Sequence, residues 1–225
     1  MILLENLTKV YRLKGRQTVV ADRLNAVFPT GASVALLGRN GAGKSTLLRM
    51  IAGTVKPTSG RVLSDGSISW PVGFAGSFHL ELTGAQNVRF VARIYGVDTD
   101  ELVDYVADFA DLGQHYHQPF GSYSSGMRSR LAMGTSMGIH FDTYLVDEVT
   151  SVGDADFRAK SQRVFNDRMS TAGAIVVSHS MPMVRNMCNM GAVLDHGRVS
   201  VFEDLEEAIA LHEAILRVPP SAQPG

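Results

Sequence analysis

Residues 38–46 read Gly-Arg-Asn-Gly-Ala-Gly-Lys-Ser-Thr. The stretch fits the phosphate-binding pattern G-x-x-x-x-G-K-[ST], with Gly38, Gly43, Lys44 and Ser45 on its fixed positions. Its flanks agree. Ser33 to Leu37 (SVALL) is a short apolar run of the kind a buried parallel strand shows, and Thr46 to Ala52 (TLLRMIA) is helix-forming, with Gly53 as a stop. Strand, glycine loop and helix together make an anion site: glycines let backbone N–H groups converge on phosphate oxygens, and the helix N-terminus adds a partial positive charge. The candidate nucleotide-binding run is therefore Gly38, Arg39, Asn40, Gly41, Ala42, Gly43, Lys44, Ser45 and Thr46. Lys44 would reach the β- and γ-phosphates of ATP, and the Ser45 hydroxyl would ligate Mg²⁺.

The bulk composition narrows the setting. A chain of 225 residues, 45% apolar, can hold one large domain or two small ones. Lys plus Arg is 21 against 22 Asp plus Glu, a net charge of −1, which gives no broad attraction to nucleic acid or to an anionic membrane. Cys188 is the only cysteine, so no internal disulfide is possible and a reducing cytosol is expected. No stretch approaches the roughly 18 apolar residues of a membrane span. The opening MILLENLTKVYR lacks the basic-then-apolar order of a secretory signal. The expectation is a protein that stays inside the cell and meets any membrane through a partner.

Along the chain, residues 1–73 alternate short β-type runs with turns such as Pro57-Thr58-Ser59-Gly60 and Asp65-Gly66. From Thr83 the character is helical. Thr83-Gly84-Ala85-Gln86 has the form of a capping box, a second helix is expected from Asp98 or Asp100, and a third from Ser125. Strand character returns at Tyr144–Val146 and Ile175–Val177. Ala192–Leu194 and Val199–Val201 flank His196-Gly197, a hairpin signal. Asp204 caps a final amphipathic helix with Leu205, Ala208, Ile209 and His212 along one stripe, and the Pro-rich tail from Val218 is expected to be disordered. The reading is α/β: a P-loop NTPase core with a mixed or parallel sheet flanked by helices, an antiparallel β subdomain at the N-terminus and an inserted α-helical subdomain. One domain is expected over 1–217, with the core in 1–74 and 140–217, the insertion in 75–139 and the tail in 218–225.

Two further motifs carry chemistry. Phe141 to Glu148 read FDTYLVDE, a strand ending in two carboxylates. Beside a phosphate loop, Asp147 would hold Mg²⁺ and Glu148 would act as general base on the attacking water. Tyr123 to Leu131 read YSSGMRSRL, about 20 residues before that pair. This stretch resembles the signature loop, usually LSGGQ, of the nucleotide-binding subunits of ABC transporters. Tyr123, Ser125 and Met127 depart from that pattern, while Ser124 and Gly126 keep its functional positions. A serine and a glycine at a helix N-terminus make a second anion site. The resemblance implies a head-to-tail homodimer in which Ser124 and Gly126 of one copy close over the nucleotide of the other.

The resemblance extends to single residues. Ser151 to Asp154 (SVGD) occupy the place of the family's D-loop, so Asp154 would tune contacts across the dimer. Ser178-His179 matches the switch histidine, and Tyr11 matches the aromatic ring that stacks on adenine. Lys44, Glu148 and His179 are thus the candidate catalytic groups. Where the family has a metal- and water-contacting glutamine, alignment on Leu82-Thr83-Gly84 offers Phe78-His79, which makes His79 a candidate metal or water contact beside Ser45 and Asp147. Over about Ile2 to Leu216, the strings SFHLELTGAQNVRFVARIYGV, YSSGMRSRLAMGTSMGIHFDTYLVDEVTSVGD and VVSHSMPMVRNMC resemble the ATP-binding subunit of bacterial capsular-polysaccharide exporters. O-antigen and teichoic-acid exporters are the alternatives within the group. The implied setting is the cytoplasmic face of the bacterial inner membrane, under an integral permease dimer, with periplasmic and outer-membrane components completing the route. The lipid-linked polysaccharide cargo is not contacted directly, and no nucleic acid is expected. A soluble ABC ATPase acting on nucleic acid or ribosomes is the rival of another class. The chain lacks the long heptads, second cassette or basic run such machines carry.

Overall fold

The computed structural model describes residues 1–13, 15–76, 78–147 and 154–217. In chain order the elements are β1 (Ile2–Leu13), β2 (Arg16–Phe28), β3 (Ser33–Leu37), α1 (Lys44–Ile51), β4 (Ser59–Ser64), β5 (Ile68–Pro71), α2 (Gly84–Tyr95), α3 (Thr99–Ala110) and α4 (Ser125–Gly138). Then follow β6 (Thr143–Asp147), α5 (Ala155–Thr171), β7 (Gly173–Val177), α6 (Met181–Met187), β8 (Met190–Asp195), β9 (Arg198–Phe202) and α7 (Leu205–Arg217). Contacts divide the chain into two compact units: residues 1–68, 142–148 and 172–225 form the first, and 69–141 with 149–171 the second.

In the first unit a three-stranded antiparallel sheet runs β2-β1-β4, and the strands of a second sheet run β6-β7-β3-β8-β9. β6, β7, β3 and β8 are parallel neighbours, whereas β9 returns antiparallel to β8 through His196-Gly197. Both turn residues have positive φ, 45° and 72°, the backbone a two-residue hairpin needs. β7 and, after Ser33, β3 are apolar because their two faces are covered, as parallel strands require. Leu4, Leu24, Leu36, Leu48, Ile175 and Leu194 meet in one core. Truncating any of these leucines to alanine removes about 2–5 kcal/mol of stability. α7 lies on β8, and Gly191 makes that approach possible: a Cβ there would collide with the Cβ of Ala208.

The second unit is helical. Thr83 caps α2, its hydroxyl accepting from Gln86 N–H while the Gln86 side chain accepts from Thr83 N–H, so the capping box read from sequence is formed. Asp98 caps α3 and Ser124 caps α4. α4 packs closely on α3 because Gly134 and Gly138 leave room for Phe109, Leu102 and Tyr105. Residues 69–74 and α5 also cluster with this unit, so its limits fall at 69 and 141, with 149–171 added, where the sequence reading had 75–139. No helix was expected at α5, and its burial explains why: Phe157 and Phe165 are its only buried residues, too few to mark a stripe.

Candidate functional site

The phosphate-binding run sits at the C-terminal edge of the parallel strands in the first unit, where ligands bind in open α/β sheets. β3 ends at Leu37 and the chain turns at Gly38, where Ala42 N–H donates to Arg39 O at 3.1 Å. α1 then starts from Gly43, whose φ of 103° demands glycine. Any Cβ at Gly43 would also run into Cγ1 of Val20 on β2. Lys44 Nζ donates to Gly38 O at 2.7 Å and to Arg39 O at 3.0 Å, so the ammonium is folded into its own loop. Asn40 and Gly41 are exposed, while Ala42, Ser45 and Thr46 are half-buried.

Neighbouring strands bring the other groups of this unit to the same edge. Asp147 ends β6 opposite Val177 of β7, and Ser178-His179 follow directly, with His179 exposed. Ser45 Oγ donates to Asp147 Oδ1 at 3.2 Å, joining residues far apart in sequence. A hydroxyl and a carboxylate side by side are hard oxygen donors that fit Mg²⁺, which takes one or two protein ligands and completes its shell with phosphate and water. No group of three or more His, Cys, Asp or Glu suited to a metal occurs among the described residues. Tyr11 lies on the β1–β2 hairpin opposite Thr18, two residues before Val20 and therefore close to the loop in register. Tyr11 is 44% exposed, and Lys9 Nζ lies 4.9 Å from its ring centroid. The ammonium covers part of the ring, and a favourable cation–π contact holds the two together.

Glu148 lies outside the described residues, as do Ser151 to Gly153 of the SVGD stretch. The remaining predicted groups belong to the second unit. Ser124 and Gly126 begin α4 with Ser124 exposed, and its hydroxyl accepts from Met127 N–H at 3.3 Å. The space a Cβ at Gly126 would occupy is nearly open, with Ser124 Oγ 3.9 Å away. The departure Tyr123 has a packing reason: its ring is buried and its hydroxyl donates to His115 O at 2.6 Å, over Gly84, which has no side chain to obstruct it. Burial pushes the Tyr123 phenol above its ordinary value. Asp154 is the cap of α5. Its Oδ1 accepts from Phe157 N–H at 2.9 Å and its Oδ2 from Arg130 Nη2 at 2.5 Å. The bond from Phe157 N–H, with Arg130 adding to it, lowers the Asp154 carboxyl from its ordinary value. His79 is exposed on the loop before α2.

Sequence reasoning placed Arg39 in the phosphate-binding run and His212 on the last helix but missed what they touch. Arg39 Nη2 donates to Ile215 O at 2.9 Å and Leu216 O at 3.2 Å, pinning the end of α7 to the phosphate-binding loop. His212, one turn earlier on α7, has its Nδ1 buried with no hydrogen-bond partner among the described residues. Desolvation and then the Lys44 charge lower its pKa. A bond from side chain to main chain across that sequence distance leaves no local signal. Arg130 was legible only as part of the YSSGMRSRL stretch, and Asn87 only as one polar position on α2.

The sequence profile of the ABC transporter family matches residues 21–151. The chain is 46% identical over 213 residues to a polysialic acid transport ATP-binding protein of Escherichia coli, covering 93% of this chain and 97% of that protein. It is 40% identical over 216 residues to a capsule polysaccharide export ATP-binding protein of Neisseria meningitidis serogroup B, covering 96% of this chain and all (100%) of that one. Among solved structures, a dimeric ATP-binding cassette in a post-hydrolysis state with ADP and Pi superposes with a TM-score of 0.71. At 22% identity over 91% of this chain and 99% of that one, it shares the fold.

Proposed function

The chain belongs to the ABC transporter family, and from that membership we propose that it is the ATP-binding and ATP-hydrolysing subunit of an exporter that carries a capsular polysaccharide across the bacterial inner membrane. The observation that carries the proposal is the meeting of Ser45 Oγ and Asp147 Oδ1 at 3.2 Å beside Lys44, at the strand edge that also bears His179. Its export role is inferred from the extent of the likeness to the polysialic acid and capsule relatives, which spans nearly the whole chain.

In this reading residues 1–217 are one ATPase domain. ATP draws the Lys44 ammonium away from Gly38 O and Arg39 O to its β- and γ-phosphates, and the amides of residues 38–46 take the remaining oxygens. Ser45 and Asp147 would hold Mg²⁺, which neutralises charge on those phosphates when bound. Tyr11 stacks on adenine through the part of its ring that Lys9 leaves open. Glu148 takes the proton of the attacking water, and His179 contacts the γ-phosphate. Ser124 and Gly126 of a second copy seal the nucleotide, Asp154 setting contacts along that seam. Closure follows because ATP binds the closed dimer better than the open chains.

The second unit offers a surface for the permease. Phe90 and Ile94 stand 55% and 60% exposed four residues apart on α2, and Leu80 and Tyr95 are exposed as well, apolar side chains suited to a short amphipathic helix. No helix among the described residues is long and apolar enough to cross a membrane, so attachment to its inner face is assigned to the permease dimer. The periplasmic and outer-membrane components belong to the same proposal. Lys44→Ala tests it: ATP hydrolysis by the purified chain and surface polysaccharide on complemented cells should both be lost. A normal coat with Lys44→Ala would refute the export role, and unchanged hydrolysis would refute the site.

A further inference from the structure

α7 is fastened along its whole length within the first unit. Its first turn is held by α6, the short helix that follows His179: Arg185 Nε donates to Glu206 Oε1 at 2.8 Å and Arg185 Nη2 to Glu206 Oε2 at 3.0 Å. That pair is exposed to solvent, so it steadies the helix more than it anchors it. The middle of α7 lies on β8 and on β3, with Leu205, Ala208 and Ile209 buried and Gly191 leaving room for Ala208. The last turn is held by Arg39, which is half-buried and whose Nη2 donates to Ile215 O and Leu216 O. Carbonyls in a last helical turn have no partners within the helix and carry its partial negative charge, so a guanidinium is a fitting cap for them.

The main chain of the same arginine is the pivot of the phosphate-binding loop. Arg39 O accepts from Ala42 N–H at 3.1 Å and from Lys44 Nζ at 3.0 Å. The side chain of Arg39 thus holds α7 while its carbonyl holds the loop. When Lys44 leaves for phosphate, Gly38 O and Arg39 O lose an ammonium donor, and with it a tie that shapes the loop. The tie to α7 runs through the Arg39 side chain and does not depend on Lys44. His212 sits one turn before the pinned carbonyls. Burial first and the Lys44 charge next depress its pKa, so this end of α7 lies within electrostatic reach of the lysine that must move.

We propose that Arg39 is a positioning residue that braces the phosphate-binding loop against α7, so that the last turn of α7 sets the affinity of the loop for nucleotide phosphate. The proposal rests on the reading of residues 38–46 as the nucleotide site. A loop already held in its binding path loses less freedom when phosphate arrives, and that saving appears as affinity. Coupling of this kind is reciprocal: nucleotide on the loop tightens the last turn of α7 by the same free energy that the turn contributes to binding.

The test uses the full chain with ADP and Mg²⁺, a probe that occupies the loop without turnover. Arg39→Ala should raise the ADP Kd in calorimetry about three- to tenfold, as for the loss of one hydrogen bond. The ATP KM should rise by a similar factor while kcat holds within about twofold, because binding lost equally from ground and transition states leaves turnover intact. Ala214→Gly is the second variant. Ala214 is exposed on α7, and glycine there loosens the last turn while the loop keeps its sequence. It should raise the ADP Kd about two- to threefold, and that rise should vanish in an Arg39→Ala background. A rise with Arg39→Ala and none with Ala214→Gly would mean that Arg39 meets the nucleotide directly, which overturns the brace. In hydrogen exchange, ADP should slow the amides of residues 212–217 in the parent and leave them unchanged in Arg39→Ala. Protection of residues 38–46 without protection of 212–217 would overturn the proposal and spare the site. A parent chain that binds no ADP would instead refute the site on which the proposal rests.

Discussion

Replacing Gly43 by alanine should destabilise the nucleotide-free protein in two separable ways. The first is backbone strain: φ is 103°, and an L-residue held there costs about 1–3 kcal/mol. The second is overlap. The new Cβ would strike Cγ1 of Val20, a β-branched side chain on β2 with little freedom to turn away. Overpacking of that kind costs roughly 1–3 kcal/mol. Together they amount to about 2–6 kcal/mol, which lowers Tm by roughly 4–24 °C in a chain of this length. Thermal melts without ligand give the sum, and Val20→Ala in the same background separates the parts, because it relieves the overlap and leaves the strain. About 1–3 kcal/mol should therefore return in the double variant beyond what the single changes add up to. Gly41→Ala is the control: φ is 81° but nothing lies within 4 Å of its Cβ, so strain alone remains, about 1–2 kcal/mol. The reasoning is refuted if Gly43→Ala melts with the parent, or if Val20→Ala restores nothing.

Three further outcomes follow from the same geometry. Arg39→Ala removes the donor that caps Ile215 O and Leu216 O, so hydrogen exchange over 205–217 should quicken and stability fall by about 1–2 kcal/mol. His212 faces Lys44, Glu213 and His179, and its pKa is lowered by burial first and Lys44 next, so the unfolded chain takes up its proton more readily. Stability should fall as pH drops through 6.5 toward the lower folded value, and His212→Gln should flatten that part of the melting profile. Burial pushes the Cys188 thiol up to about 12, so thiol reagents should label the native chain at the pace of its opening and the unfolded chain at once.

What the sequence made legible was what local chemistry dictates. The flanks of residues 38–46 announced a strand and a helix. Thr83 with Gln86, Asp98 and Ser124 announced helix starts, because short polar side chains cap nearby amides. His196-Gly197 announced a hairpin through its need for positive φ. α5 stayed hidden because a helix with two buried residues has no periodic face. Partners distant in the chain, such as Arg39 with α7 or Asn87 with the whole His79 loop, depend on tertiary placement. Asp154 was read for a role between copies, and the structure adds a local one, capping α5 and pairing with Arg130.

Nucleotide-driven pairing of two copies is the central claim, and Glu148→Gln tests it most directly, since it should bind ATP while hydrolysing it too slowly to reopen. Sedimentation of this variant with ATP and Mg²⁺ should show the 24.3 kDa chain converting to twice its mass, and returning to monomer with Lys44→Ala added. A single 24.3 kDa species at saturating ATP would contradict the account.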